Sequence, residues 1–331
     1  MLIGMLTMRA MDWAFARQPC RRLITIQGRR NRREGETMHE GRSSFVSSHS
    51  RSILWDACDL ATNIRYIGWD RARNLYVPRE TRSTNSRGAF LFSTLVSAVL
   101  HAFLCDMFQY AVQIFSPDTF GSTIGGTIFD LSLPPFDRYF RSSLITFFFG
   151  WSVYAVAQLF HDVMTILCVL ILQHHPRRWP PMFDAPWRST SLIDLWSRRW
   201  HQTHRVSFIR LGMKPFSYIG GHATGVLGVF TLSGILHDLG LRAVGRGSDF
   251  WAVSGFFFMM GVGINLEVLW ARLTGKKVTG YTGWLWTLVW VTCWGNFLVD
   301  AWLKRGAGGT VFFPEPYRPS RLVMTVLLRL W

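Results

Sequence analysis

Residues 142–172 read SSLITFFFGWSVYAVAQLFHDVMTILCVLIL, and this stretch sets the fold class of the chain. Its only Asp, Glu, Lys, Arg or His residues are His161 and Asp162. A helix of about 20 apolar residues crosses the hydrocarbon core of a bilayer, which is about 30 Å thick. The stretch therefore predicts a membrane-spanning helix that is long enough to tilt or kink.

Four further stretches of similar character lie on either side of the first. They are residues 88–115, 219–240, 250–271 and 282–303. The composition agrees with a membrane protein, because 49% of the residues are hydrophobic and only 17% are charged, whereas soluble domains have about 25% charged residues. The sequence therefore predicts an all-α, polytopic membrane protein with about five transmembrane helices.

The net charge of +16 is concentrated between the apolar stretches. Residues 1–87, 173–216 and 272–281 together carry 27 of the 36 Lys and Arg residues. Cytosolic loops of membrane proteins are enriched in Lys and Arg, so these three segments are predicted to be cytosolic. This distribution argues against a nucleic-acid partner and for a lipid bilayer as the partner of the chain.

The first 87 residues contain sixteen Arg and no Lys. We predict a basic, poorly ordered N-terminal arm over residues 1–54, a membrane domain over residues 55–305 and a C-terminal tail over residues 306–331. A mitochondrial transit peptide has a similar composition and is the alternative for the arm. We prefer a solvated cytosolic arm that lies close to anionic lipid.

Ionisable residues inside a membrane are costly, and each is a functional candidate by default. Those within the predicted spans are His101, Asp106, His161, Asp162, His222, His237, Asp238, Glu267 and Asp300. Most are expected to face the interior of the bundle and to bond to neighbouring helices. The five Cys residues form no CxxC pair and have no metal-ligand spacing, so no bound metal is expected.

His237 differs from the other candidates in its immediate surroundings. On a helix, Ser233 and Gly234 precede it by four and three residues, so all three share one face. The glycine lets another helix or a substrate approach closely. Apolar surroundings favour the neutral imidazole, which accepts a proton from an alcohol near pH 7. The alternative is a hydrogen-bonded histidine that only packs.

The predicted cytosolic loop 173–216 opens with a proline-rich stretch and then contains Ser191 and Asp194 in a capping-box pattern. This pattern predicts an amphipathic helix with the sequence LWSRRWHQTHR, which would lie in the membrane interface. Its arginines would form a basic collar that attracts an anionic cofactor, with His201 and Gln202 turned inward. The alternative is an interfacial anchor without a chemical role.

Three segments together resemble one family. Residues 63–79, NIRYIGWDRARNLYVPR, resemble the Arg-x-Ile-Gly-Trp segment of wax-synthase-like proteins, and residues 191–202, SLIDLWSRRWHQ, are similar to their Phe-Trp-Gly-Arg-Arg-Trp-His-Gln signature. Leu195 and Ser197 replace the Phe and Gly of that signature. Residues 233–240, SGILHDLG, resemble the Ser-Gly-x-x-His segment. The chain thus resembles the wax-synthase-like branch of the membrane-bound O-acyltransferases.

The resemblance implies a multi-helix fold with a buried reaction chamber, acyl-CoA as the donor and a hydroxyl as the acceptor. His237 matches the membrane-embedded catalytic histidine of the family, and His201 matches its second polar signature position. The residues expected to contact the acyl donor are Arg198, Arg199, Gln202 and Arg205, and those expected to contact the substrate are Trp196, Trp200 and Ser233.

Many fungal members of the branch acetylate terpenoid or meroterpenoid alcohols, so the resemblance implies an acetyl-CoA-dependent O-acetyltransferase of the endoplasmic reticulum membrane. Acetyl-CoA would be a co-substrate, and no permanently bound cofactor is expected. The alternatives are a long-chain acyl-CoA:alcohol acyltransferase, a transporter with a His/Asp proton path, and an inactive remnant. Family members usually have additional hydrophobic spans before the Ile-Gly-Trp segment, where this chain has its arginine-rich arm.

Overall fold

A computed structural model of the chain describes residues 2–15, 18–22, 53–73 and 75–330. The described residues form ten α-helices and no strand, apart from one isolated bridge between Arg22 and Trp69. The predicted all-α fold is therefore confirmed. The helices are α1 (Leu2–Ala14), α2 (Ile53–Thr62), α3 (Arg87–Gln113), α4 (Pro135–Leu170), α5 (Leu192–Asp194), α6 (Arg205–Phe208), α7 (Lys214–Arg242), α8 (Phe250–Thr274), α9 (Gly280–Leu303) and α10 (Pro319–Leu330).

The long helices coincide with the predicted spans. By length and composition, four segments of the described chain could cross a membrane, namely Arg87–Gln113, Pro135–Leu170, Arg205–Arg242 and Phe250–Thr274. The fifth predicted span, 282–303, forms α9, which is not among the four because its Trp, Thr and Gly residues make it less apolar. The chain is thus an all-α membrane protein.

Two hydrophobic cores divide the bundle. One core joins α3, α4 and α9 around the buried side chains of Val112, Ile145, Phe149, Val299 and Leu303. The other joins α5, α7 and α8 around Leu192, Val226, Phe230, Phe256, Phe257, Met260 and Ile264. A tryptophan-rich face of α9 packs against the second core. The histidine singled out above belongs to this second half of the bundle, on α7.

The charged residues inside the helices mostly stabilise contacts between elements. Asp106 on α3 pairs with Arg318 at 2.9 Å and accepts a hydrogen bond from the Ser320 backbone N–H at 2.8 Å, which anchors the start of α10. Asp300 on α9 accepts bonds from the Thr127 hydroxyl and from a neighbouring backbone N–H. These buried carboxylates are therefore paired, as expected for polar residues between membrane helices.

A sharp chain reversal interrupts α7 at Gly220 and Gly221. Gly221 has φ +72° and ψ −155°, a backbone conformation that favours glycine. A Cβ atom on Gly212 would lie 2.9 Å from the carbonyl oxygen of Gly228, although these residues would be about 24 Å apart in one continuous helix. The chain before the reversal therefore folds back, antiparallel, onto the chain after it.

We call this element the glycine hairpin, with residues 205–219 as its first limb and residues 222–242 as its second limb. The limbs approach closely because Gly212 and Gly228 have no side chain that would separate the two backbones. Asn265 of α8 donates a hydrogen bond to the Ala223 carbonyl at 3.1 Å. The tip of the hairpin thus lies level with the C-terminal part of α8. The predicted span 219–240 is its second limb.

Part of the predicted N-terminal arm is a packed helix. Asp12 on α1 is fully buried, with 0% of its surface exposed. It accepts a hydrogen bond from the Tyr66 hydroxyl and pairs with Arg210 at 2.8 Å. Helix α1 is therefore tied to the segment around Tyr66 and to the first limb of the glycine hairpin. Most of the remaining arm lies outside the described residues, and the domain boundaries at residues 54 and 305 stay predictions.

Candidate functional site

The segment that carries His201 starts as predicted. Ser191 caps α5 by accepting a hydrogen bond from the Asp194 backbone N–H at 2.9 Å. The Glu267 carboxylate accepts bonds from the backbone N–H groups of Leu192 at 2.6 Å and of Ile193 at 3.0 Å. These acceptors satisfy N–H groups that a helix start leaves unpaired.

The helix predicted over LWSRRWHQTHR ends earlier than expected. A single π-helical turn follows α5 from Leu195 to Arg199, and Trp200 is extended at φ −77° and ψ 157°. His201 and Gln202 therefore lie beyond the helix, not on one of its faces.

The segment 192–204 enters the bundle alongside α7 and α8. Its start is fixed to Glu267, and further along the Trp196 ring packs at 5.7 Å against Phe230 of the second limb. Leu192 is buried in the second core and Trp196 packs against it, whereas Ile193 is 39% exposed. The position of this stretch at the membrane interface stays a prediction.

His237 is held in one tautomer by its own helix. Its Nδ1 lies 2.7 Å from the carbonyl oxygen of Ser233. A carbonyl only accepts, so Nδ1 carries the hydrogen, and in the neutral ring Nε2 keeps its lone pair. The ring stacks on Phe257 of α8, with a centroid distance of 4.2 Å and an angle of 28°. His237 thus presents a proton acceptor in an apolar setting.

Gly234 serves contact between helices. A Cβ atom at this position would lie 2.8 Å from the Cα atom of Ser254 on α8. Of the two roles expected for this glycine, the structure shows close approach of a helix. Because Gly234 is one turn before His237, the same contact brings α8 and its Phe257 against the imidazole.

His201 lies in an aromatic enclosure. Its ring centroid is 5.9 Å from that of Phe183 and 5.6 Å from that of Trp200. Burial, with repulsion from His204, His237 and a nearby arginine, lowers its pKa to about 3. His201 is therefore neutral at physiological pH. The contribution of His237 to this shift places the two signature histidines within electrostatic range of each other.

The structure adds His204, which was not predicted. It is buried, with 8% of its surface exposed, and burial and the neighbouring His237 lower its pKa to about 4. The glycine hairpin explains why His204 lies near His237. His204 is sixteen residues before Gly220 and His237 is sixteen residues after Gly221, so the antiparallel limbs bring the two to the same level. That symmetry is visible in the sequence once the glycine pair is recognised as a reversal.

Three of the four residues expected to contact the acyl donor hold the segment in place. Arg199 Nε pairs with Asp194 at 2.5 Å, and the Gln202 amide donates to the Trp200 carbonyl at 2.7 Å. Arg205 Nη1 donates to Gln202 Oε1 at 2.8 Å. The fourth, Arg198, is exposed above the ring of Tyr76 at 6.0 Å. Contact of any of the four with a donor stays a prediction.

Arg65, in the Arg-x-Ile-Gly-Trp segment, is a second residue that sequence reasoning missed. Its guanidinium donates to the carbonyls of Pro180 and Pro181, each at 2.8 Å, and lies 3.4 Å from His161 Nε2. Burial and the nearby Arg82 lower its pKa to about 10. Arg65 thereby joins the first signature segment to the loop that precedes Phe183 and to α4.

The lowered pKa of His204 predicts acid sensitivity. An unfolded histidine has a pKa of about 6.5 and binds a proton that the buried His204 resists until about pH 4. The free energy of unfolding should therefore fall by about 1.4 kcal/mol per pH unit from this residue between these values, with full stability above pH 6.5. Thermal unfolding in detergent should show a shallower pH slope for His204→Gln than for the wild type. An identical slope would contradict a neutral, buried His204.

Comparison with known proteins covers this same region. The model of the Membrane bound O-acyl transferase family matches residues 179–260, which contain His201, His204 and His237.

The three histidines are not arranged as a metal site, since the described residues hold no group of three or more His, Cys, Asp or Glu that could bind a metal ion.

Several known proteins are similar to part of the chain. An acetyltransferase of Arthrobotrys oligospora is 25% identical over 294 residues, which cover 74% of this chain and 58% of the relative. An acetyltransferase of Calcarisporium arbuscula is 27% identical, over 43% of this chain and 38% of the relative. A probable long-chain-alcohol O-fatty-acyltransferase of Arabidopsis thaliana is 30% identical, over 30% of this chain and 33% of the relative.

This chain thus spans between a third and three fifths of the length of these relatives. The part matched by the family model includes the segment that carries the three histidines. The resemblance to the wax-synthase-like branch of the membrane-bound O-acyltransferases is confirmed.

Proposed function

We propose that this chain is an O-acyltransferase that transfers an acetyl group from acetyl-CoA to a hydroxyl of a terpenoid or meroterpenoid alcohol. The observation that carries the proposal is His237, whose Nδ1 bond to Ser233 leaves Nε2 as the acceptor. His201 lies within electrostatic range of His237. The acetyltransferases among the relatives support the acetyl donor.

The proposed reaction uses one base and two bound substrates. His237 Nε2 takes the proton of the acceptor hydroxyl while that oxygen attacks the thioester carbonyl carbon. The carbon–sulfur bond then breaks, and the protonated His237 returns the proton to the CoA sulfur. Neutral His201 would donate a hydrogen bond to the carbonyl oxygen, where negative charge develops.

We infer a multi-pass protein of the endoplasmic reticulum membrane in which acyl-CoA arrives from the cytosol. The exposed Arg198 suits a phosphate of the donor, because a guanidinium matches phosphate geometry. Arg199, Gln202 and Arg205 would act by holding the segment that carries His201. Ser233, Trp196 and Trp200 would line the space for the substrates.

A second candidate function is supported by the plant relative, whose name gives it a long-chain alcohol as acceptor and a fatty acyl group as donor. The same His237 chemistry would serve a fatty acyl donor. The two candidates differ in the length of the acyl chain and not in the base.

The test is an assay of microsomes that contain the expressed chain. Acetyl-CoA and palmitoyl-CoA are supplied in turn, each with a panel of terpenoid alcohols and with a long-chain primary alcohol, and esters are measured by mass spectrometry. We expect acetyl esters of a terpenoid alcohol. Palmitoyl esters of the long-chain alcohol alone would favour the second candidate. No ester from any pair, with the protein present in the membrane, would contradict both.

A further inference from the structure

Two buried nitrogen atoms of the segment 192–204 lack a hydrogen-bond partner in the part of the chain that the structure describes. They are Trp196 Nε1 and His201 Nδ1. Buried polar atoms are nearly always paired, so each of them requires a partner that the described residues do not supply. An indole N–H only donates. The missing partner of Trp196 is therefore an acceptor atom, such as an oxygen.

The position of Trp196 limits which oxygen this is. Its ring lies edge-on to Phe230, at 5.7 Å and 83°. Phe230 and His237 are seven residues apart on the second limb, so they share a face and are separated by about 10 Å along the helix. Trp196 is therefore about two helical turns from His237, too far from it to contact the reacting carbonyl.

Acyl-CoA carries acceptor oxygens at this distance from its reactive end. Standard bond lengths place the two amide carbonyls of an extended pantetheine arm about 5 and 10 Å from the thioester sulfur. The phosphates lie farther along the molecule. A terpenoid alcohol with a single oxygen atom must bring that hydroxyl to His237 and so offers no second acceptor.

We propose that the Trp196 indole N–H donates a hydrogen bond to an amide carbonyl of the pantetheine arm and so holds the thioester in reach of His237. This inference rests on the proposed function and adds the part of the donor that the segment recognises. It makes Trp196 a specificity-determining residue for donors that contain the amide.

The test compares two donors with two tryptophan variants. Trp196→Phe keeps the aromatic ring and removes the N–H. Trp302→Phe is the matched control, because Trp302 Nε1 is also buried without a partner among the described residues but packs against the first core. The donors are acetyl-CoA and S-ethyl thioacetate, which has the same thioester without the amides. The Michaelis constant of each donor is measured, since it does not depend on the amount of folded enzyme.

For acetyl-CoA, Trp196→Phe should raise KM about 3- to 10-fold, the loss expected from one hydrogen bond, with little change in kcat. For S-ethyl thioacetate it should leave KM unchanged, and Trp302→Phe should change neither value. Trp196→Tyr, which returns a hydroxyl near the same place, should fall between Trp196→Phe and the wild type.

The inference is overturned if Trp196→Phe leaves KM for acetyl-CoA unchanged, or if it raises KM equally for both donors. Both results require that the wild-type enzyme is active, so either of them would leave the proposed function unchallenged. A wild-type protein that transfers acetyl groups from neither donor would overturn the proposed function and this inference with it.

Discussion

Replacement of His237 by alanine is expected to reduce acyl transfer by about 10²- to 10⁴-fold, the contribution typical of a positioned general base. The variant removes the imidazole that is held by Ser233 and stacked on Phe257. His237→Gln should lose a similar factor, because glutamine refills much of the volume but does not accept a proton at neutral pH. Ester formation in microsomes, normalised to the protein detected in the membrane, measures both variants.

His222 provides the control for this experiment on the same helix. It is exposed at the start of the second limb, beside the hairpin tip, so His222→Ala should leave activity and abundance close to those of the wild type. If His237→Ala kept most of its activity at normal abundance, His237 would not be the base. A loss of activity in His222→Ala of the same size would show that any change on α7 is disruptive.

Replacement of Gly234 by alanine is expected to destabilise the protein by about 1–3 kcal/mol and to impair acyl transfer. The added methyl group would meet the Ser254 backbone at 2.8 Å, and backbone cannot yield as a flexible side chain does. Helices α7 and α8 would have to separate. Since Gly234 is one turn from His237, the ring would move relative to the site. Thermal unfolding in detergent and the ester assay measure the two effects.

Gly255 is the matched control on the opposite helix. It follows Ser254 directly, but a Cβ atom on Gly255 would meet nothing within 4 Å. Gly255→Ala should therefore stabilise the protein slightly, by up to about 1 kcal/mol, because alanine favours the helix. Equal behaviour of the two alanine variants would mean that the close contact of α7 with α8 at Gly234 is not required.

The positions of the long helices were predicted well because hydrophobic length is a local property of the chain. The stretches around 88–115 and 250–271 became α3 and α8 within a few residues at most ends. The relation of His237 to Ser233 was equally local, since helical residues four apart lie on one face. The hydrogen bond from His237 is accepted by the backbone carbonyl oxygen of Ser233, an atom that every residue type has.

The glycine hairpin could not be read from hydrophobicity. Gly220 and Gly221 lie at the start of the predicted span 219–240, where hydrophobicity gives no sign of a chain reversal. The reversal needs Gly212 to pack against the Gly228 backbone, a contact between residues sixteen positions apart. The proximity of His204 to His237 follows from that contact, so it was missed together with the hairpin.

The contacts of the arginines in the second signature segment were missed for the same reason, because they depend on tertiary structure. Their spacing in the sequence is typical of a basic surface collar, but Arg199 and Arg205 bond within their own segment. Whether an arginine faces water or a carbonyl depends on where its helix ends. Here the helix ends at Arg199, and Trp200 is extended.

Composition and local periodicity thus fixed the membrane class, the approximate spans and the identity of His237 as the leading candidate, since each depends on residues that are near one another in the chain. The placement of His201 and His204 within electrostatic range of His237 required long-range packing, such as that of Gly212 against the Gly228 backbone. Such packing depends on the shapes of surfaces that only the folded chain brings together, and these shapes leave no periodic signal in the order of the residues.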